Sequence, residues 1–115
     1  MIKKDFRKAH RQGTRIWAKE TDSHGIRYHL VSNISLYGLF IEKKLPLAIG
    51  AVLELELEIP NSDENLTLKC KVIDNYQDPG HAVRGTGVQF LEMGKEQEAR
   101  LCDLIKACEG QEIRA

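Results

Sequence analysis

The sequence lacks any apolar stretch approaching the ~20 residues that a membrane-spanning helix requires. Its first residues, Met1 and Ile2, run directly into charges, which does not resemble a secretory signal. Net charge is also absent, because 17 Lys and Arg balance 17 Asp and Glu, so no overall field points to a nucleic acid or a membrane. We therefore predict a cytoplasmic protein that has no membrane partner.

Spacings typical of metal sites and catalytic sites are missing as well. The cysteines form an odd set without CxxC spacing, namely Cys70, Cys102 and Cys108. This pattern favours reduced, inert thiols over a disulfide framework. The histidines show neither HxxxH nor HxH spacing, and no GxSxG or nucleophile and base pairing is recognisable. The sequence thus predicts no metal site, no cofactor and no enzyme.

Aromatic residues are few. Seven Phe, Trp and Tyr residues occur in 115, and we expect the core to need several of them, with Trp17 interpreted as a core or barrel-end residue. Proteins that bind single-stranded nucleic acid stack bases on exposed aromatic side chains. A nucleic-acid partner is therefore disfavoured, although a small barrel with a basic arm leaves that function as an alternative.

What charge there is lies unevenly along the chain. Residues 1–15 carry six Lys and Arg against Asp5 alone, which gives +5 there and −5 over the remaining hundred residues. Residues 1–12 hold few apolar groups and many like charges, a composition that cannot bury enough surface to order itself alone. We predict a flexible basic arm over 1–12 that meets an anionic partner.

Strand signals follow the arm. Within Val52–Ile59, apolar and polar residues alternate from Leu53 onward, and they alternate again through Leu66–Val72, the period of two of a half-buried strand. β-Branched and aromatic residues, separated by turn-forming segments, predict four more strands: Thr14–Ala18, Ile26–Ile34, Gly38–Ile41 and Gly85–Leu91. The first two should form a hairpin around Thr21–Gly25.

The C-terminal segment has a helical period instead. Leu101, Leu104, Ile105 and Cys108 fall at i, i+3, i+4 and i+7, one face of a helix over 95–109 that should stop near Gly110. Short strands followed by one amphipathic helix predict a mainly β fold. We expect a single domain over 1–115: a six-stranded antiparallel β-barrel over 13–92, with the C-terminal α-helix packed against it.

Two constellations of polar residues are candidates for binding. Arg7 and Arg11 lie four positions apart in the arm, and each guanidinium offers a planar fork of donors to a phosphate or to the O6 and N7 acceptors of guanine. Asn33, Ser35 and Gly38 follow one another where the chain leaves one strand and enters the next. Asn and Ser offer short polar groups, and glycine permits positive φ or close approach of a ligand.

Together these marks resemble the PilZ domain family, which has an RxxxR arm and, after a hairpin, a [D/N]xSxxG turn. Arg7–Arg11 and Asn33–Gly38 match them in that order, and Gly85–Phe90 is similar to the late GxGVxF strand of the family. The trailing helix also fits. The resemblance covers nearly the whole chain.

The resemblance implies a bacterial signalling receptor that binds the second messenger cyclic di-GMP. It would place guanine edges and phosphates on Arg7 and Arg11, another guanine on Asn33 and Ser35, and Gly38 close to the ligand. Lys8, Arg15 and Tyr37 are further candidates, since Arg11–Arg15 is an overlapping RxxxR and Tyr37 can stack on a base. One ligand or a stacked pair would fit.

The expected output is a conformational change that reaches a protein partner in motility, secretion or polysaccharide regulation. The family resemblance also permits a different function. In that alternative the protein is an adaptor that has lost the nucleotide and acts only through protein contacts.

Overall fold

The computed structural model describes residues 12–42, 47–77 and 83–111. These residues form six strands and one helix, in the order β1 Gln12–Asp22, β2 Gly25–Ile34, β3 Gly38–Glu42, β4 Val52–Glu58, β5 Asn65–Gln77, β6 Val83–Phe90 and α1 Lys95–Gln111. Within the described ranges, no helix is both long and apolar enough to span a bilayer.

The strands close into a barrel in the order β1-β2-β3-β6-β5-β4, and every neighbouring pair is antiparallel. The predicted six-stranded antiparallel barrel with a C-terminal helix is therefore confirmed. Closure between β1 and β4 is short, because the two strands pair only from Ala18–Leu57 to Glu20–Leu55. The first half of β1 pairs with β2 on its other side.

The regular wall of the barrel, β4 with β5, follows the alternation of the sequence. Pairing runs without a break from Val52–Lys71 to Glu58–Asn65. The apolar members of the alternation in β5 are all buried: Leu66, Leu68, Cys70 and Val72. Their Lys and Thr neighbours face solvent, as a strand half in water requires.

Element ends differ from the predictions by a few residues. The first hairpin closes at Asp22–Gly25, so Ser23 and His24 alone form its turn. Asp22 makes this short turn possible, because its Oδ1 accepts the His24 N–H at 2.7 Å, while Gly25 takes a positive φ of 131°. Strand β1 includes Gln12, which we had assigned to the arm, since its backbone pairs with β2.

Helix α1 packs as its spacing predicts. Leu101, Leu104 and Cys108 are buried, and Cys108 Sγ donates to Thr14 Oγ1 of β1 at 3.3 Å. The helix continues to Gln111, so Gly110 lies in its last turn and not after it. A glycine costs about 1 kcal/mol inside a helix, and helix ends are defined only to one or two residues.

The core is aliphatic, which contradicts our expectation that several aromatic residues fill it. Among the described aromatic side chains only Phe90 is buried. Trp17 lies on the outer face and is 48% exposed, because the inward positions of β1 are the alternate residues Thr14, Ile16, Ala18 and Glu20. Interpreting Trp17 as a core residue was therefore wrong.

One buried pair of polar side chains, joined by a hydrogen bond, lies inside the β1–β2 hairpin. Glu20 and His29 are both under 6% exposed, and His29 Nε2 lies 2.8 Å from Glu20 Oε1. Arg27 Nη1 approaches the other carboxylate oxygen at 3.8 Å. Buried polar groups of this kind are tolerated when each finds a partner, so the pair helps to hold the hairpin in one register.

A single side chain fastens the segment before β4. Asn75 Oδ1 accepts the Leu47 N–H at 3.2 Å and the Thr86 hydroxyl at 2.6 Å, and Asn75 Nδ2 donates to the Leu47 carbonyl at 2.8 Å. Asn75 lies in β5 beside an irregularity in its pairing with β6. One amide thus joins β5, β6 and the segment that leads into β4.

Candidate ligand-binding site

The β2–β3 corner, residues 35–37, is a tight turn that Ser35 organises. The Ser35 N–H donates to the Gly38 carbonyl at 2.9 Å, and Ser35 Oγ accepts the Tyr37 N–H at 3.1 Å. Strand β6 braces the turn, because the Phe90 N–H donates to the Tyr37 carbonyl at 2.8 Å. Ser35 is 1% exposed, so its hydroxyl is engaged within the corner.

Gly38 opens β3 and pairs with Gln89 of β6. Of the glycines in the part of the chain that the structure describes, those with positive φ are Gly25 and Gly50. Gly38 therefore does not use the left-handed conformation that its motif position allowed. Close approach of a ligand to the backbone, the other reason for a glycine at this position, stays a prediction.

Asn33, next to the corner, sits where two strand pairings are irregular. It pairs with Gly13 of β1 on one side and with Phe40 of β3 on the other. Ser32 is an extra residue in β2 relative to β3, and Thr14 and Arg15 together oppose it from β1. β-Bulges of this kind redirect side chains and are frequent beside functional sites.

The Asn33 side chain carries a polar atom without a partner. Its Oδ1 is buried, yet no hydrogen-bond donor reaches it in the structure as described. Buried polar atoms are nearly always satisfied, and an exception calls for an explanation such as an absent ligand. A buried acceptor without a partner therefore lies beside the corner.

The start of β1 runs alongside the same corner. Gln12 pairs with Ile34, the residue just before Ser35. The three basic arm candidates, Arg7, Lys8 and Arg11, lie outside the described residues. Arg15 is described and is exposed in β1, within the irregular stretch opposite Ser32.

Beyond Asn33 the outer face is built around two glycines of β6. The Phe40 and Tyr76 rings lie 5.3 Å apart between centroids, tilted by 52°. A Cβ at Gly85 would collide with the Phe40 ring, and one at Gly87 would lie 3.3 Å from the Tyr76 ring. This aromatic pair was not predicted from the sequence, although two glycines at alternate positions of one strand indicate a large side chain on that face.

The buried cysteines are poor nucleophiles. Burial raises the pKa of the Cys70 thiol to about 12. Burial also raises the pKa of Cys108, with the hydrogen bond to Thr14 acting in the opposite direction. Thiolate is the reactive form, so neither thiol is suited to catalysis near neutral pH.

Among the described side chains, no three His, Cys, Asp or Glu residues cluster as a metal site would require.

A closed six-stranded barrel with a C-terminal helix, in which β1 begins beside the corner that Ser35 and Gly38 form, defines a class of small β-barrel domain. The model of the PilZ domain matches residues 5–107 of this chain. The chain therefore belongs to the PilZ domain family. None of the curated proteins matches the sequence.

Solved structures share the fold at low sequence identity. The PilZ domain with c-di-GMP of YcgR from Escherichia coli superposes with a TM-score of 0.74 at 14% identity, covering 93% of this chain and 94% of that one. The Bacillus subtilis inhibitor of motility MotI/DgrA gives 0.71 at 17%, covering 96% and 53%. The K. pneumonia MrkH-c-di-GMP complex gives 0.69 at 16%, covering 97% and 57%. This chain thus spans little more than half of the latter two proteins.

Proposed function

We propose that this protein is a non-enzymatic receptor for cyclic di-GMP, which binds against the outer face of the barrel at the β2–β3 corner. Family membership supports this, because the similar YcgR and MrkH structures are described with c-di-GMP. In the proposed complex Asn33 and the corner form the floor of the site. Arg7 and Arg11 close over the nucleotide from the arm.

The observation that carries the proposal is the unpartnered Oδ1 of Asn33. Guanine presents amino and ring N–H donors on its Watson–Crick edge, and an amide oxygen is a matching acceptor. A base reaches and satisfies this buried atom once the groups that cover Oδ1 move aside. Leaving such an atom unsatisfied costs about 1–3 kcal/mol, and binding would recover part of that cost.

Chain connectivity brings the arginines within reach. Gln12 is paired next to the corner, Arg11 precedes it by one residue and Arg7 by five. An extended chain advances roughly 3.5 Å per residue, so Arg7 can range over about 17 Å from Gln12. Both guanidiniums can therefore meet phosphates or guanine edges at Asn33, with the charge-assisted bonds that Arg forms best.

The hydrogen bonds at the corner support different roles for its residues. Asn33 has an acceptor to offer, whereas the Ser35 hydroxyl already serves the Tyr37 N–H. In our proposal Ser35 acts by shaping the corner, and Gly38 by keeping its backbone open to the ligand. Arg15 and Tyr37 lie at the edges of the site as additional contacts, and Lys8 adds charge from the arm.

Binding would convert the basic arm into an ordered, partly neutralised segment, and this change is the proposed signal to a protein partner. Fixing a mobile residue costs about 1–2 kcal/mol. Arginine contacts to the ligand must therefore exceed that cost. The processes that we propose for the partner are motility, secretion or polysaccharide production.

Calorimetric titration with cyclic di-GMP, combined with NMR spectra, tests the site. We expect Arg7→Ala or Arg11→Ala to weaken binding about 10- to 100-fold, the worth of a charged hydrogen bond, and Asn33→Ala to weaken it about 3- to 10-fold. Lys3→Ala and Lys4→Ala remove the same charge from the arm without touching the motif, and should change affinity by less than about twofold. Arg15→Ala decides between the two overlapping RxxxR frames.

Unchanged affinity in both motif arginine variants would refute the site. Equal losses in the Lys3, Lys4, Arg7 and Arg11 variants would show that only arm charge matters. A folded wild-type protein that ignores the nucleotide would favour the alternative, an adaptor that works through protein contacts alone.

A further inference from the structure

A second surface on the barrel combines exposed aromatic groups with carboxylates that form no salt bridge among the described residues. We call it the hairpin face, formed by outward side chains of β1 and β2: Trp17, Lys19, Ile26, Tyr28 and Leu30. Trp17, Ile26 and Tyr28 are 48%, 57% and 64% exposed. Large apolar side chains grouped on one exposed strand pair are a mark of an interaction site.

The strand register makes this face continuous. Trp17 lies opposite Leu30 and Lys19 opposite Tyr28 across the hairpin. A cavity of about 170 Å³ opens along the β4 side, lined by Trp17, Lys19, Tyr28, Glu56, Glu58 and Asn65. Two aromatic side chains and two carboxylates, Glu56 and Glu58, thus border one recess.

Acidic groups flank the apolar row on both sides. Glu58 Oε1 of β4 accepts the backbone N–H of Trp17 at 2.9 Å. On the other side, Glu42 of β3 pairs with Leu30. Neither carboxylate forms a salt bridge with a residue of the described chain. Lys19 adds no free positive charge, because it lies 3.0 Å from Glu56.

We propose that the hairpin face binds a basic segment of a partner protein, with an arginine or lysine side chain over Trp17 and Glu58 as its counter-ion. A cation over an aromatic ring is stabilised by the ring's quadrupole. The flanking carboxylates supply the complementary charge, and Ile26 and Tyr28 supply apolar contact for neighbouring aliphatic side chains. The same carboxylates repel nucleic-acid phosphates.

This proposal does not depend on the nucleotide site. Asn33 pairs with Gly13, whereas Trp17 lies four residues further along β1, so the two sites occupy different stretches of one hairpin. If the receptor function proposed above is correct, the shared hairpin gives a direct structural connection between ligand and partner. If it is wrong, the hairpin face still binds its basic segment.

Fluorescence of Trp17, the single tryptophan of the chain, provides the test. The probe is a short synthetic peptide in which arginine and leucine alternate, and its control replaces each arginine by citrulline, the neutral isostere. We expect the arginine peptide to shift the Trp17 emission saturably and the citrulline peptide to bind about fivefold more weakly or not at all.

Matched variants locate the contact. Glu58→Gln keeps an oxygen for the Trp17 N–H and should weaken the arginine peptide about fivefold. Glu54→Gln removes the same charge from the outer side of β4, away from the cavity, and should have little effect. Tyr28→Ser should weaken binding, while Asn33→Ala should leave peptide affinity unchanged.

Three results would overturn the proposal. Equal affinity for the citrulline peptide would show that no cation is recognised. Equal losses of peptide affinity in Glu58→Gln and Glu54→Gln would show that only the overall negative charge of the protein matters. A concentration-dependent dimer in sedimentation that Tyr28→Ser abolishes would assign the face to a second copy of this chain.

Discussion

The regular β4–β5 wall and the β2–β3 corner differ in how their strands pair. In the wall, seven residue pairs follow one another without interruption. At the corner, β2 is irregular against both neighbours around Ser32. The wall directs leucines into the core, whereas the corner holds a polar oxygen without a partner. Regular core packing and the proposed ligand site thus lie in different parts of one barrel.

The largest expected difference comes from shortening a leucine in each region. Leu68→Ala in the wall removes a side chain that is 1% exposed, and should lower the free energy of unfolding by about 2–5 kcal/mol because it leaves a cavity. Leu36→Ala at the corner removes one that is 50% exposed, and should cost about 0.5 kcal/mol. Urea denaturation measures both. Similar losses would contradict the division.

Replacing each of the two outer-face glycines, Gly85 and Gly87, by alanine should give a smaller difference in the free energy of unfolding. Gly85→Ala places a Cβ against the Phe40 ring and the Ile41 carbonyl, and should destabilise by about 1–3 kcal/mol through overpacking. Gly87→Ala meets the exposed Tyr76 ring, which can move aside, so it should cost clearly less. Thermal melts compare the two. Adding Phe40→Ala to Gly85→Ala should restore only part of the loss, because the Ile41 carbonyl remains.

The smallest effect concerns thiol chemistry and leaves stability untouched. Cys102 is exposed, while Cys70 and Cys108 are buried with raised pKa values, that of Cys70 near 12. Alkylation at about pH 8 requires thiolate. Mass spectrometry should therefore find Cys102 modified in the folded protein, and all three cysteines only in denaturant.

Rapid labelling of Cys70 in the native state would show that the wall opens readily. As a control, Cys102→Ser should abolish the native reaction.

The sequence predicts the wall better than the corner for a physical reason. Alternation in Val52–Ile59 and Leu66–Val72 records burial directly, so strand identity and inward faces followed from it. A bulge adds one residue without a compositional mark, so nothing in Val31–Ile34 predicted the irregular pairing at Ser32. Trp17 was misplaced because hydrophobicity was given more weight than its position between inward Ile16 and Ala18.

The sequence predicts the position of the corner, whereas ligand binding there stays a prediction. The motif predicted Asn33, Ser35 and Gly38 as neighbours of one corner, and the strand bounds place them there. Motif spacing does not reveal that the Ser35 hydroxyl accepts a hydrogen bond within the turn while Asn33 Oδ1 has no partner. These hydrogen bonds depend on how three strands meet at the corner. Roles for Arg7 and Arg11 stay predictions for the titrations to decide.

The Asn75 amide has a consequence for how this chain tolerates change. One side chain serves as a donor to Leu47 and as an acceptor for Leu47 and Thr86 at once. Aspartate has the same shape, but at neutral pH it has no hydrogen to donate. Loss of the amide nitrogen, whether by mutation or by slow deamidation during storage, would place a carboxylate against the Leu47 carbonyl. It would loosen the entry to β4 without altering the volume of the side chain.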